Sequence, residues 1–135
     1  MQRNNKDNVQ PMDKNTVMEM FDRGAVRIWS VDFSNVIESV RGWALQKKDG
    51  VFLIVVNEAM TEDQQVRTFK HEVFHITRGH LTSGITAKEA ESEVVAQQEN
   101  GFPCFDGWNL EEVYHKYKED KSEILEEAIH SNVDK

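Results

Sequence analysis

The chain is poor in the features that mark several classes of protein. It has one cysteine, Cys104, in 135 residues, so it cannot form an internal disulfide. We therefore expect a protein of a reducing compartment, the cytoplasm. No apolar run approaches the length of a membrane span, and the polar residues 1–8 lack the apolar stretch of a secretory signal. These absences predict neither membrane insertion nor secretion.

Basic residues are also in short supply. Lysine and arginine total 16 against 24 acidic residues, which gives a net charge of −8. Affinity for nucleic acids depends on clustered basic side chains, so this balance argues against direct binding of DNA or RNA. A protein partner is the more natural expectation.

One five-residue segment, His71-Glu72-Val73-Phe74-His75, carries the strongest functional signal. Residues four apart lie on one face of a helix, so both imidazoles would point the same way. Two imidazoles supply half of a tetrahedral zinc site, and the glutamate between them can act as general base on the attacking water. We predict His71 and His75 as metal ligands and Glu72 as the catalytic residue. Two surface histidines on a solvated helix are the simpler alternative.

The helix that carries this segment has a core-facing side of its own. A capping-box pattern from Thr61 to Gln64 predicts its start, and Gly79 or the later pair Ser83-Gly84 predicts its end. At about 100° per residue, an apolar stripe forms on the side opposite the two histidines. The stripe consists of Val66, Phe69, Val73 and Ile76. The imidazoles are therefore predicted to face either water or a cleft beneath a second element.

A second helix is predicted to begin at another capping-box pattern, Thr86 to Glu89. Its apolar face would consist of Ala87, Ala90, Val94 and Val95. Glu91 is predicted to project into the middle of that face, in contrast to three other carboxylates that project away, Glu89, Glu93 and Glu99.

A catalytic zinc site needs a third protein ligand, and Glu91 is our prediction for it. A carboxylate aimed at the interior is costly unless it is paired or bound to a metal. Two alternatives stay open. Glu91 could lie at a rim and pair with Lys70 or Arg67, or His80 could be the ligand, which would need a sharp turn after His75.

Patterns elsewhere predict a small α+β domain. Further helices are expected at residues 16–22, 110–117 and 124–130, and a short one from Ser34 is an open alternative. Strands are expected at residues 25–31, 43–47 and 51–56, the last two joined at Asp49-Gly50 as a hairpin. We divide the chain into a disordered tail, residues 1–14, and a single domain, residues 15–135.

Candidates for stabilising an oxyanion are weaker than the candidate ligands. Tyr114 and His115 lie on the predicted helix at 110–117, and Arg78 and His80 lie close to the motif. Ordinary positions on a helix face explain Tyr114 and His115 more simply.

Residues 49–96 resemble the ImmA/IrrE-type metallopeptidases of phages, mobile elements and stress-response loci. Their pattern is an apolar strand ending in Asn, a helix start of the S/T-E-E-Q kind, an H-E-x-x-H helix and an E-x-E-A-x-x-x-A helix. The corresponding stretches here read VFLIVVN (51–57), TEDQQ (61–65), FKHEVFH (69–75) and EAESEVVA (89–96). The metal-binding glutamate of the family falls on Glu91.

Two stretches depart from the family pattern. The family usually has Leu-Gly where this chain has Val73-Phe74, and an apolar run ending in Pro where this chain has QQENGFP (97–103). Phe74 is bulky where glycine is common, so packing against the sheet or the substrate groove is expected to differ.

The resemblance implies a small zincin-like α+β fold, with a three-stranded β-sheet packed on the active-site helix. It also implies a cytoplasmic zinc-dependent endopeptidase with a protein substrate, such as a phage or mobile-element repressor. His71, His75 and Glu91 would hold the Zn²⁺, although Mn²⁺ or Fe²⁺ can occupy similar ligands. Two alternatives come from other classes. One is a metal-binding regulatory module that binds a transcription factor or toxin without cutting it, and the other is an interaction domain in which the motif is accidental.

Overall fold

The computed structural model describes residues 11–33, 40–82 and 86–122, which form a mixed α+β arrangement. This part of the chain contains four α-helices: α1 (Lys14–Asp22), α2 (Glu62–Thr77), α3 (Ala87–Glu99) and α4 (Leu110–Tyr117). It also contains four strands: β1 (Val26–Val31), β2 (Gly42–Gln46), β3 (Phe52–Asn57) and β4 (Lys118–Asp120). A 3-10 turn, Pro103–Phe105, precedes α4. The predicted helix at 124–130 and the alternative helix from Ser34 lie outside the described residues.

The strands lie in the order β2-β3-β1-β4. β3 pairs antiparallel with β2 and parallel with β1, and it is buried along all six of its residues. The predicted hairpin is therefore present, with Gly50 at a φ of 89° in its turn. Among the described helices, none is long and apolar enough to span a membrane.

The expectation of three strands is wrong, because β4 pairs with the outer side of β1. Its three residues, Lys118, Glu119 and Asp120, are all charged, so no apolar alternation marks them as a strand. β4 follows α4 directly, and a two-pronged ion pair from Arg27 of β1 to Glu119 holds it, with one N···O distance of 2.6 Å. Tertiary contacts, and no local pattern, define this strand.

One face of the sheet packs against helices and forms the main core. Ile28 of β1 and Ile54 of β3 are fully buried in it. The predicted stripe of α2 is buried there too and is confirmed at all four positions, Val66, Phe69, Val73 and Ile76. The other face carries a smaller cluster made of Val31, Phe33, Leu53 and Val55. The histidine side of α2 is thereby left facing β2 and α3.

Strand β2 begins where the sheet comes closest to α2. A Cβ added at Gly42 would lie 2.4 Å from the carbonyl oxygen of Val55 and 2.8 Å from Cγ2 of Thr68. Any larger residue would push the strand and the helix apart. Because β2 is the last strand of the described sheet on this side, Gly42 holds a sheet edge beside the histidines.

The ends of α2 follow the sequence signals. Thr61 and Gln64 form both bonds of the predicted capping box, at 3.3 and 3.2 Å. At the other end Gly79 adopts a φ of 70° and donates to the carbonyl of Ile76, while the amide of His80 donates to the carbonyl of His75 at 2.9 Å. This pair of bonds is a Schellman motif, which turns the chain back over the last turn of the helix.

The segment just before α1 packs against the end of α2. The amide of Met12 donates to the carbonyl of Thr77 at 2.9 Å, and Asp13 caps α1 through the amide of Thr16. Residues 11–14, the described part of the predicted tail, therefore belong to the fold. Residues 1–10 of that tail lie outside the described residues.

Candidate metal centre

Three predicted ligands meet on the histidine side of α2. Oε1 of Glu91 lies 3.1 Å from Nε2 of His75 and 3.6 Å from Nε2 of His71, and the three ligand atoms all lie within 4.8 Å of one another. A tetrahedral zinc ion with ligands at about 2.0–2.1 Å would hold its ligand atoms about 3.3 Å apart. Two imidazole nitrogens and one carboxylate oxygen at these separations fit a zinc ion.

The position of Glu91 differs from the one expected. Its side chain is 56% exposed, so it does not point into the apolar face of α3. Only Ala90 and Val94 of that face are buried, while Ala87 and Val95 are exposed, because only part of α3 packs against the core. Glu91 lies beside this narrow contact and turns its carboxylate to the two imidazoles. Among the described residues it forms no ion pair with a lysine or an arginine, so the rim alternative is not the arrangement observed.

The second nitrogen of His71 is bound to an amide on α3. Nδ1 of His71 lies 3.0 Å from Oε1 of Gln98. Because an amide oxygen accepts, Nδ1 is the donor in this contact, and Nε2 faces Glu91. Glu91 and Gln98 are seven residues apart, two helical turns, so one face of α3 supplies both contacts.

The second nitrogen of His75 begins a chain of hydrogen bonds. Its Nδ1 lies 2.9 Å from Nδ1 of His80, and Nε2 of His80 lies 2.8 Å from Oε2 of Glu93. Arg78 approaches the same Glu93 oxygen at 3.3 Å. Burial alone would raise the pKa of Glu93, but the hydrogen bonds from His80 and Arg78 outweigh it and hold that pKa below its usual value.

This chain determines which nitrogen of His75 is available. An ionised Glu93 only accepts, so Nε2 of His80 must donate. In a neutral His80, Nδ1 is then the acceptor, and Nδ1 of His75 must be its donor. Nε2 of His75 is therefore unprotonated and faces Glu91, which is the state that a metal ligand needs.

The fold determines the position of His80. The Schellman motif at Gly79 brings the His80 backbone over His75, and the His80 side chain is only 2% exposed. Phe74, the bulky residue inside the motif, is buried against Phe102 and Phe105, and its ring meets the His80 ring at a centroid distance of 5.7 Å. Phe74 thus packs behind the centre and supports His80.

Glu72 is buried between the two histidines and forms no hydrogen bond to any described residue. Burial raises its pKa to about 7, the Coulombic interaction with His71 opposes the shift, and the negative charge of Glu91 adds to it. Burial also lowers the pKa of His75 to about 4, with a further contribution from His71, so the His75 ring is neutral at pH 7.

Two cavities open on either side of Glu72 and share Gly42, His71 and Glu72 as walls. The arginine cavity, about 370 Å³, is otherwise lined mainly by polar side chains: Arg41, Gln64, Arg67, Thr68 and Gln98. The tryptophan cavity, also about 370 Å³, is lined by His75 and mainly apolar side chains, among them Trp43, Ala44, Leu81, Ala87 and Ala90. The candidate centre therefore borders two adjacent cavities beside β2, which together are called the groove below.

Tyr114 and His115, two of the candidates for stabilising an oxyanion, lie away from these cavities. The hydroxyl of Tyr114 donates to Gln65 at 2.7 Å, and Nε2 of His115 lies 2.6 Å from Glu62. Neither lines the two cavities, so neither is placed to stabilise an oxyanion there. His115, Glu62 and Glu111 form a second cluster that could hold an ion, but all three are exposed.

Sequence reasoning missed part of the centre. Glu93 was expected to project away from the apolar face of α3, and its contacts with His80 and Arg78 were not foreseen, because they form only when the turn after α2 folds back over α3. His80 appeared only as a rival ligand, and Gln98 did not appear at all. The seven-residue spacing from Glu91 to Gln98 was the signal available in the sequence.

No protein-family model, no curated protein and no solved structure matches the chain. The case for its function therefore depends on the residues and their geometry.

Proposed function

We propose that this protein is a zinc-dependent metallo-endopeptidase of the ImmA/IrrE type, with a zincin-like fold. In this proposal it hydrolyses a peptide bond in a cytoplasmic protein, such as a phage or mobile-element repressor. The observation that carries the proposal is the convergence of His71, His75 and Glu91, with their ligand atoms within 4.8 Å, beside the buried carboxylate of Glu72.

Each residue has a defined role in the proposal. His71, His75 and Glu91 hold the ion, while Gln98 and the His80–Glu93 pair keep the two Nε2 atoms unprotonated and oriented. Zinc, when bound, supplies a Lewis acid that polarises the peptide carbonyl and the attacking water. Glu72 accepts a proton from that water and delivers it to the leaving amine.

The edge of β2 that no other strand of the described sheet occupies provides a place for the substrate. Trp43 and Ala44 of β2 line the tryptophan cavity, and Gly42 lines both cavities. An extended peptide that adds to this edge would cross the groove between the cavities, with Glu72 below its backbone. Pairing through the main chain suits a protease because it binds any extended segment and leaves selectivity to the cavities.

The test measures metal and cleavage in the same samples. The protein is purified without chelators, its zinc is counted by mass spectrometry, and a randomised peptide library is searched for new termini. We expect one zinc per chain and cleavage of the library. Glu72→Gln should keep the zinc and lose cleavage by about 100-fold or more, because only the proton transfer is removed. Glu91→Ala should lower zinc affinity, whereas Glu99→Ala, an exposed carboxylate on the same helix, should not.

Absence of stoichiometric zinc would contradict the metal site. Stoichiometric zinc with equal cleavage in Glu72→Gln and the wild type would contradict the enzymatic role of Glu72. Zinc without any cleavage would favour the regulatory module, which binds a transcription factor or toxin and leaves it intact.

A further inference from the structure

The two halves of the groove differ in chemistry, and the difference predicts which peptides fit. The tryptophan cavity offers an exposed indole and small apolar side chains. The arginine cavity offers two guanidinium groups and two side-chain amides. A peptide that crosses Glu72 would place one side chain in the tryptophan cavity and another in the arginine cavity.

The two arginines converge from different elements. Arg41 immediately precedes β2, and Arg67 lies on α2 four residues before His71, which is one helical turn. Both are exposed and line the same cavity. Of the five described arginines, Arg27 pairs with Glu119 and Arg78 pairs with Glu93. Within the described part of the chain, neither Arg41 nor Arg67 has a carboxylate partner.

Two arginines without carboxylate partners among the described residues line one cavity of an acidic protein. With a net charge of −8, most of the surface attracts cations and repels acidic segments. The arginine cavity is a local exception to this negative charge. Glu72 is one of its walls, so the two arginines lie near the proposed catalytic carboxylate. Guanidinium binds carboxylates through paired hydrogen bonds, and the amides of Gln64 and Gln98 add further donors.

We propose that the arginine cavity binds a carboxylate of the substrate, from an acidic side chain on one side of the cleaved bond. The tryptophan cavity then takes an apolar side chain on the other side. This inference rests on the proposed peptidase function and names the substrate class for it. A C-terminal carboxylate of the substrate has the same chemistry, so the experiment separates the two sources.

Three matched peptides, built around a sequence cut from the randomised library, test the proposal. One carries an internal glutamate and an amidated C-terminus, one carries glutamine there with an amidated C-terminus, and one carries glutamine with a free C-terminus. Wild-type protein should cut the glutamate peptide about tenfold better than the amidated glutamine peptide, the value of a partly exposed charge-assisted pair. The double variant Arg41→Gln/Arg67→Gln should bring that ratio close to one. Arg23→Gln removes one positive charge at the exposed C-cap of α1, outside both cavities, and should leave the ratio unchanged.

Preference for the free C-terminus over the internal glutamate would overturn the side-chain source. A ratio that stays the same in the double variant would overturn the role of the arginines, while zinc content and library cleavage would still support the peptidase. A peptide-binding experiment tests the same preference without depending on cleavage. Zinc-loaded Glu72→Gln protein is immobilised, and the library peptides that it retains should be enriched in Asp and Glu. The arginine double variant should lose this enrichment, and retention without acidic enrichment would contradict the proposal.

Discussion

The two histidines of the proposed metal centre differ in what lies behind them. His71 belongs to an outer half of the centre, in which 24% of its side chain is exposed and its Nδ1 contacts the amide of Gln98. His75 belongs to an inner half, in which 10% of its side chain is exposed and its Nδ1 contacts the buried His80, backed by Glu93. His71 lines both cavities, whereas His75 and His80 line only the tryptophan cavity.

The difference shows that one five-residue motif can combine two environments. The outer histidine is near the proposed substrate groove, where its orientation depends on a single contact between α2 and α3. The inner histidine is oriented by a neighbouring turn, two further side chains and an aromatic cluster. We therefore expect the inner half to determine stability and metal affinity, and the outer half to be more tolerant.

Replacing the ligands should give the largest effect. His75→Ala removes a ligand and leaves the buried His80 ring without its partner, so the free energy of unfolding should fall by about 2–3 kcal/mol. His71→Ala also removes a ligand, but water can reach Gln98, so the fall should stay below about 1 kcal/mol. Urea unfolding of the metal-free variants measures both, and equal losses would contradict the division into halves.

The stability of the metal-free protein should depend on pH, because the pKa values of Glu72 and His75 are shifted in the folded state. The pKa of Glu72, about 7 when folded against 4.5 ordinarily, means that the unfolded carboxyl ionises first, so stability falls as pH rises from about 4.5 to 7. The pKa of His75, about 4 when folded against 6.5 ordinarily, means that stability rises with pH between about 4 and 6.5. The two slopes oppose each other in the wild type.

Glu72→Gln removes one of these slopes. Unfolding free energy should then increase by about 2–3 kcal/mol more than in the wild type between about pH 5 and pH 7.5. Urea titrations of both metal-free proteins at the two pH values provide the measurement. An unchanged pH dependence would mean that the Glu72 carboxyl is not held in its neutral form by the fold.

Contacts behind the ligands should give a smaller, unequal pair of effects. His80→Ala should weaken zinc binding by about 10–100-fold, the usual range for a residue that orients a ligand. Gln98→Ala should weaken it only a few-fold, because water can replace an amide at this more exposed position. Competition with a chromophoric chelator measures both affinities.

A rescue experiment separates orientation from general damage. His80→Gln keeps an acceptor that can face Nδ1 of His75, so it should recover part of the affinity that His80→Ala loses. Cobalt-loaded protein should report the same order through its visible absorption. If the alanine and glutamine variants bind zinc equally, the hydrogen bond between the two rings does not orient the ligand.

The smallest effect is expected at the turn that holds His80. Gly79 has a φ of 70°, so Gly79→Ala should cost about 1 kcal/mol of stability and weaken zinc binding slightly. Gly24 is a matched control, because it ends α1 with a φ of 76° and the same pair of Schellman bonds. Gly24→Ala should cost similar stability and leave zinc affinity unchanged. Equal zinc affinities in Gly79→Ala and Gly24→Ala would show that the turn at Gly79 does not influence zinc binding.

Much of the fold could be predicted because local physics dictates it. The stripe of α2, the capping box at Thr61 and the turn at Asp49-Gly50 each follow from spacing or residue type within a few positions. The ligand positions His71 and His75 follow from the same helical spacing. Glu91 was selected as the partner, but for the wrong reason, because it approaches the imidazoles from the exposed side of α3.

The rest depended on tertiary contacts that no short pattern contains. β4 exists only because α4 delivers three charged residues to the edge of β1. The pairing of His80 with Glu93 joins residues 13 apart, through a turn whose glycine was identified but whose consequence was not. Arg41 and Arg67 share a cavity only after β2 has been packed against α2 at Gly42.

The unequal edges of the sheet have a consequence for assembly. β4 closes one edge with three residues that are all charged, a form that discourages a further strand. β2 leaves the other edge longer and partly apolar, with Trp43 and Leu45 each 39% exposed. Strand addition is therefore confined to one side of the described sheet. Two copies that met there would saturate each other as a closed pair and could not propagate into a fibre, and a bound peptide at β2 would compete with that pairing.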